Sequence, residues 1–221
     1  TIKNHNINYI PGCAELGDFD ATSTTISIYP VGELQNLPQP YLKNTFDRYF
    51  NFSISRENKD NNWINFTPYE VRTIGSFIFM DEIERAHQQI DFFLKYQRPQ
   101  SWNHWAEVVW KDERHPEFIG DMPHTWVGSD FLNSIRTMFV YENDFDSSVV
   151  IGAGLYQDWI DSPDGMSIKN LPTYYGNLSY SIKKSVNSYS VKIFGEHFNI
   201  PSGKIIIKNF NGNKLPKSVF V

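Results

Sequence analysis

TPYEVRTIGSFIFMDEIERAHQQIDFFL, residues 67–94, is the stretch that decides the fold. Thr67-Pro68-Tyr69-Glu70 reads as a capping box with proline at the first helical position. Val71, Ile74, Phe77 and Ile78 then recur on one helical face. Asp81 reads as the N-cap of a second helix, in which Ile83, Ala86, Ile90, Phe93 and Leu94 face inward and which ends before Pro99. Two helices joined by so short a turn must be antiparallel neighbours.

Working outward toward the N-terminus, Pro40 starts another helix, with Leu42, Phe46, Tyr49 and Phe50 at helical spacing as far as about Ser55. Between Phe19 and Tyr29 the β-branched Thr22, Thr24, Thr25, Ile26 and Ile28 favour a strand. Pro11, Gly12 and Gly17 mark residues 1–18 as an extended entry or loop, leading to Glu15, Asp18 and Asp20. Three carboxylates this close repel one another unless a cation or a ligand's hydroxyl groups lie among them. The plainer reading is a solvated loop with Asp20 capping the next helix.

Toward the C-terminus comes SWNHWAEVVWKDERHPEFIGDMPHTW, residues 101–126. It gathers Trp102, Trp105, Trp110 and Trp126, the histidines His104 and His124, and two candidate acids, Glu107 and Asp121, with poor helical periodicity. Aromatic faces beside carboxylates suit a sugar cleft, because pyranose rings stack on apolar rings while carboxylates do acid/base work at the glycosidic oxygen. Taken singly, each tryptophan also reads as core and each acid as a cap. Thr125 or His124 then opens a long helix with Trp126, Phe131, Ile135, Met138 and Phe139 as its buried stripe. Beyond about Ser147 the apolar period falls from about 3.6 residues to about 2. Leu178, Tyr180 and Ile182 alternate with polar residues, as do Tyr189, Val191 and Ile193, and then Ile205 and Ile207. The expected fold class is therefore α+β: antiparallel α-hairpins over residues 1–146, then a small antiparallel β-sandwich-like domain over 147–221.

Composition narrows the function classes. With 221 residues, 40% hydrophobic and 16% aromatic, the chain can bury a core. A net charge of -5 with scattered lysines and arginines gives no footprint for nucleic acid or an anionic membrane. No run approaches the ~20 apolar residues of a membrane helix, and the opening TIKNHNINYI has no signal-peptide pattern. The lone Cys13 excludes an internal disulfide framework and leaves the compartment open. The sequons at Asn51, Asn65 and Asn177 say little in an Asn-rich chain. GxGxxG, Walker, HExxH and GxSxG motifs are all absent from the sequence.

DATSTTISIYPVGEL (20–34), FTPYEVRTIGSFIFMDEIERAHQQIDFFL (66–94), WNHWAEVVW (102–110) and GDMPHTWVGSDFLNSIRTM (120–138) occur in an order that resembles the C-terminal half of an α/α-toroid, six-hairpin glycosidase of the glucoamylase-like kind. Leu171, Pro172, Thr173 and Gly176, ahead of the alternating strands, resemble the small β-sandwich of bacterial rhamnosidase-like enzymes. The resemblance implies a partial toroid in which Phe19–Tyr29 is an inner-ring helix. It implies a glycoside hydrolase without metal or organic cofactor, acting on an oligo- or polysaccharide. Glu107 would be the general base, Trp102, Trp105 and Trp126 would line sugar subsites, and His104, Asp121 and His124 would contact the sugar. The chain departs from the family at Ala106, where many members carry a second acid beside the catalytic one, and in having fewer helices than a full toroid. The resulting expectation is the C-terminal part of a longer enzyme, partnered by the remaining hairpins of the same protein. The alternative is that Glu15, Asp18 or Asp20 supplies the second carboxylate. A non-catalytic carbohydrate-binding or structural module is the rival function.

Overall fold

The computed structural model describes residues 1–58, 60–115, 117–208 and 217–218. Among these are seven α-helices and three small sheets, a mixed α+β chain with no barrel. No helix among them is long and apolar enough to cross a membrane. The chain divides into two compact units, Thr1–Ile135 and Arg136–Val221.

The first unit is built on helices. A single turn, α1 (Ile2–His5), precedes α2 (Ala21–Ile28), α3 (Tyr41–Ser55), α4 (Arg72–Phe79) and α5 (Ile83–Lys95), and α6 (Thr125–Phe139) starts within this unit. Leu42, Phe46 and Tyr49 of α3 are buried at the spacing read from the sequence, as are Ile74, Phe77 and Ile78 of α4 and Ala86, Ile90 and Phe93 of α5. The rings of Phe46 and Phe77 meet edge to face at 5.7 Å, so α3 and α4 interlock through aromatic contacts.

Three local expectations are corrected. The β-branched segment that local propensity favours as a strand is helix α2, as the resemblance implied, with Ala21, Thr24, Thr25 and Ile28 buried. Burial and a strong cap outweigh a preference of a few tenths of a kcal/mol per residue. Pro68–Val71 forms a 3-10 turn ahead of α4, and Thr67 makes no side-chain cap. Glu70 cannot reach back to close a capping box because its carboxylate is held by Arg56 at 2.6 and 2.9 Å. Asp81 is no N-cap either: it turns the chain at φ 62, and Glu82 occupies the cap position of α5.

Asp20 does cap α2, accepting from the backbone N–H of Thr22 at 2.9 Å and from the hydroxyls of Thr22 and Ser23. Burial alone would push its carboxyl up, but these hydrogen bonds outweigh burial and hold it below the ordinary range. Asp20→Ala is expected to lower the unfolding free energy by about 1 kcal/mol at neutral pH. A carboxyl whose folded-state pKa is depressed adds stability above its unfolded pKa and loses it as pH falls through the folded value. The difference between wild type and variant should therefore close in strong acid, which melting curves over a pH series would measure.

The second unit begins with the last turn of α6. It contains β3 (Val140–Asn143), β4 (Ser148–Ile151), α7 (Gln157–Asp161), β5 (Met166–Thr173), β6 (Gly176–Ser185), β7 (Ser188–Phe194) and β8 (Ile205–Ile207). β5, β6 and β7 form an antiparallel meander. The second sheet departs from the all-antiparallel expectation, because β8 lies parallel to β4 while β3 lies antiparallel to it. A parallel partner needs a long crossover, and the intervening meander supplies it. Leu178, Tyr180 and Ile182 are fully buried with Val140, Val149, Ile151 and Ile160. Arg136 grips Glu142 with two hydrogen bonds of 3.0 and 2.7 Å and also donates to the Pro172 carbonyl, tying the end of α6 to β3 and β5.

Candidate functional site

The tryptophan-rich stretch is an ordered return of the chain. β1 (Asn65–Phe66) pairs antiparallel with β2 (Val109–Trp110), which fastens the stretch to the approach to α4. Val108 donates to the Ile119 carbonyl at 3.0 Å, Glu107 to that of Asp121 at 3.2 Å, and His124 donates to that of Trp105 at 3.2 Å. These cross-links tie residues 105, 107 and 108 to 124, 121 and 119 without regular helix, which helps an irregular segment hold fixed side-chain positions.

Its tryptophans do different jobs. Trp105 is 1% exposed, its indole N–H donates to the Phe93 carbonyl at 2.9 Å, and its ring lies 5.0 Å from that of Phe131. That corrects its place in a sugar subsite: a ring sealed in the core offers no face to a ligand. Trp110 stacks flat on His115 at 4.0 Å and donates to the Phe118 carbonyl. Trp102 and Trp126 are 57% and 68% exposed. Trp126 therefore leaves the buried stripe of α6, in which Met138 is buried as expected and Val127 and Ser134 are buried as well.

A polar cluster forms where this stretch meets the start of α4. Tyr69 Oη lies 2.5 Å from His124 Nε2, and His124 Nδ1 lies 4.0 Å from Asp121 Oδ2. His124 is buried and immediately precedes α6, so its imidazole is held at the helix entry. Arg72, one helical turn beyond Tyr69, places its guanidinium 5.0 Å from the Tyr69 ring and its Nε 2.6 Å from Asp130 Oδ2. Trp126 meets Tyr69 edge-on at 6.4 Å and His124 at 6.2 Å. Glu107 is half-buried. Its carbonyl accepts from Thr67 Oγ1 at 3.2 Å, and its side chain packs on Gly120, where a Cβ would lie 2.2 Å from Glu107 Oε2. Gly120 has φ +68 as well, so only glycine satisfies both the turn and the close approach.

The electrostatics of the cluster follow from that packing. Burial pushes the Tyr69 phenol up; the negative charge of Glu107 adds to this, Arg72 opposes it, and Asp130 and Asp121 add again. Tyr69 therefore stays protonated at neutral pH. Burial also pushes the Asp130 carboxyl up, and the hydrogen bond and charge of Arg72, with the pull of His124, do not fully offset it.

The remaining candidates have local partners. His104 Nδ1 lies 2.9 Å from the Trp105 amide nitrogen, and its ring packs on Gly128 of α6, where a Cβ would come within 2.8 Å of Nε2. It steadies the stretch against α6. Glu15 accepts from Cys13 Sγ at 3.1 Å, Asp18 accepts from the Cys13 amide at 2.8 Å, and Asp20 caps α2. Among the described residues no three His, Cys, Asp or Glu side chains are grouped to hold a metal ion.

Sequence reasoning missed Tyr69, Arg72 and Asp130. A spacing signal exists for two pairs: Tyr69 and Arg72 are i,i+3, and Trp126 and Asp130 are i,i+4 on α6, so each pair shares a face. Comparison with protein families, with characterised proteins and with solved structures gives no significant match for this chain.

Proposed function

We propose that the first unit belongs to a glycoside hydrolase and that the face formed by Glu107, Tyr69, His124, Asp121 and Trp126 binds an oligo- or polysaccharide. In this reading helices α2 to α6 are part of an α/α toroid and the second unit is a small β-sandwich. Glu107 acts as the general base that activates water, with no metal or organic cofactor. The single observation that carries the reading is the exposed Trp126 ring beside the Tyr69 to His124 hydrogen bond and a half-buried Glu107. A stacking face next to hydrogen-bonding groups and a carboxylate is what sugar recognition and hydrolysis require.

Release of reducing sugar from a panel of glycans tests the proposal. Glu107→Gln should reduce turnover by at least about a hundredfold, since positioned acid/base groups contribute on that scale. Unchanged turnover in the variant would remove Glu107 from the chemistry.

The second reading is a carbohydrate-binding module without turnover. It is favoured by the local engagement of Glu15, Asp18 and Asp20, the carboxylates that would otherwise complete an acid/base pair with Glu107. That reading expects glycan binding that survives Glu107→Gln and no product from any member of the panel.

A further inference from the structure

The Tyr69 hydroxyl sits on a ring that is held from several sides. His124 holds the oxygen at 2.5 Å, and the imidazole is itself fixed, being buried with its backbone N–H on the Trp105 carbonyl. Arg72 lies over the ring at 5.0 Å and Trp126 closes against its edge at 6.4 Å. A phenol has one donor and two acceptor positions, so one bond to His124 leaves capacity for a second partner. The half-buried Tyr69 offers that capacity next to the exposed face of Trp126.

The charges around Tyr69 restrict what that partner can be. Glu107, Asp130 and Asp121 all act on the phenol, and Arg72 is the cation that faces it. Arg72 is already committed to Asp130 at 2.6 Å. Three carboxylates outnumber the Arg72 guanidinium even with the His124 imidazole, whose pull reaches Asp130, set beside it, so an incoming uronate, sulfate or phosphate meets a net negative field. An uncharged hydroxyl is indifferent to that field, and an ammonium group is attracted by it.

We propose that Tyr69 is the hydrogen-bonding contact through which this face holds its sugar, and that the sugar is uncharged or amine-bearing, not acidic. The inference rests on the glycan reading above and narrows its substrate class. It also disfavours phosphorolysis and uronate elimination at this face, both of which bring an anion to the reacting group.

Calorimetric titration of the full chain at low ionic strength tests it, with xylo-, manno- and gluco-oligosaccharides, chitosan oligomers and oligogalacturonate as probes. At least one uncharged or amine-bearing series should bind, and oligogalacturonate should bind at least about tenfold more weakly, a difference of one unit in log Kd. Tyr69→Phe should weaken the bound series about tenfold. Its melting curve is recorded alongside, so that weaker binding with an intact transition reports a lost contact. Asp121 is 88% exposed in its side chain, so Asp121→Lys tests the charge argument without disturbing the core, and it should narrow the gap between acidic and uncharged ligands. Equal or tighter binding of oligogalacturonate by wild type, or unweakened binding by Tyr69→Phe, overturns the inference and leaves the glycan reading standing. Failure of every probe to bind overturns the glycan reading and the inference together.

Discussion

Arg56→Met is expected to destabilise the helical unit by about 3–5 kcal/mol, the usual cost of stranding one member of a buried ion pair. Arg56 and Glu70 are 4% and 7% exposed and share two hydrogen bonds of 2.6 and 2.9 Å. Tyr49 donates to the same carboxylate at 2.8 Å, and Ser53 donates to the neighbouring Gln89 at 2.9 Å. Burial pushes the Tyr49 phenol far above its ordinary range and the Glu70 charge pushes it further, so Tyr49 remains a donor. The guanidinium is wrapped by aromatic rings, 4.6 Å from Phe52, 5.3 Å from Phe66 and 5.7 Å from Phe92. Methionine keeps much of that apolar packing and removes the charge, leaving Glu70 buried with one neutral donor. The double variant Arg56→Met/Glu70→Leu should lose much less than the sum of its single changes, because apolar replacement of a whole buried pair is often neutral. Denaturant midpoints followed by the helical signal for the two singles and the double measure the coupling. A loss below about 1 kcal/mol in Arg56→Met would show that Glu70 finds water or a proton at little cost.

That network explains how much of the fold could be read from the chain. Helices α3 and α5 announce themselves because Leu42, Phe46 and Tyr49, or Ala86, Ile90 and Phe93, repeat along a single face. The strands of the second unit do so because Leu178, Tyr180 and Ile182 alternate into its core. What escaped was whatever depends on a distant partner. Glu70 looked like a cap because its position relative to Thr67 fits one, yet Arg56, 14 residues earlier, takes its carboxylate. Thr24 and Thr25 looked like strand residues, yet both are buried in a helix whose start is fixed by Asp20. Tyr69 and His124 are 55 residues apart, and no local pattern links them. The composition of the stretch 101–126 marks it as a candidate site, but the division of labour among its tryptophans is not written there, because it depends on which ring finds Phe93 and Phe131.

That division of labour leads to opposite outcomes for two tryptophans of one stretch. Trp105→Ala should cost about 3–5 kcal/mol, since it empties a fully buried indole site and leaves a cavity against Phe131. It also deletes the hydrogen bond from the indole to the Phe93 carbonyl. Trp126→Ala should change stability by no more than about 0.5 kcal/mol, as expected for a mostly exposed side chain. Under the proposed glycan reading its effect should fall on glycan binding, because its ring is the open face beside Tyr69 and His124. Thermal or denaturant unfolding of both variants, with titration of a glycan bound by wild type, separates the two roles. If Trp126→Ala lost stability like Trp105→Ala and kept full binding, the exposed ring would be a packing element, and the face built on Glu107 would lose its stacking platform. If Trp105→Ala folded with little loss, the backbone ladder joining 105 to 124, 107 to 121 and 108 to 119 would be enough to hold the stretch without its buried anchor.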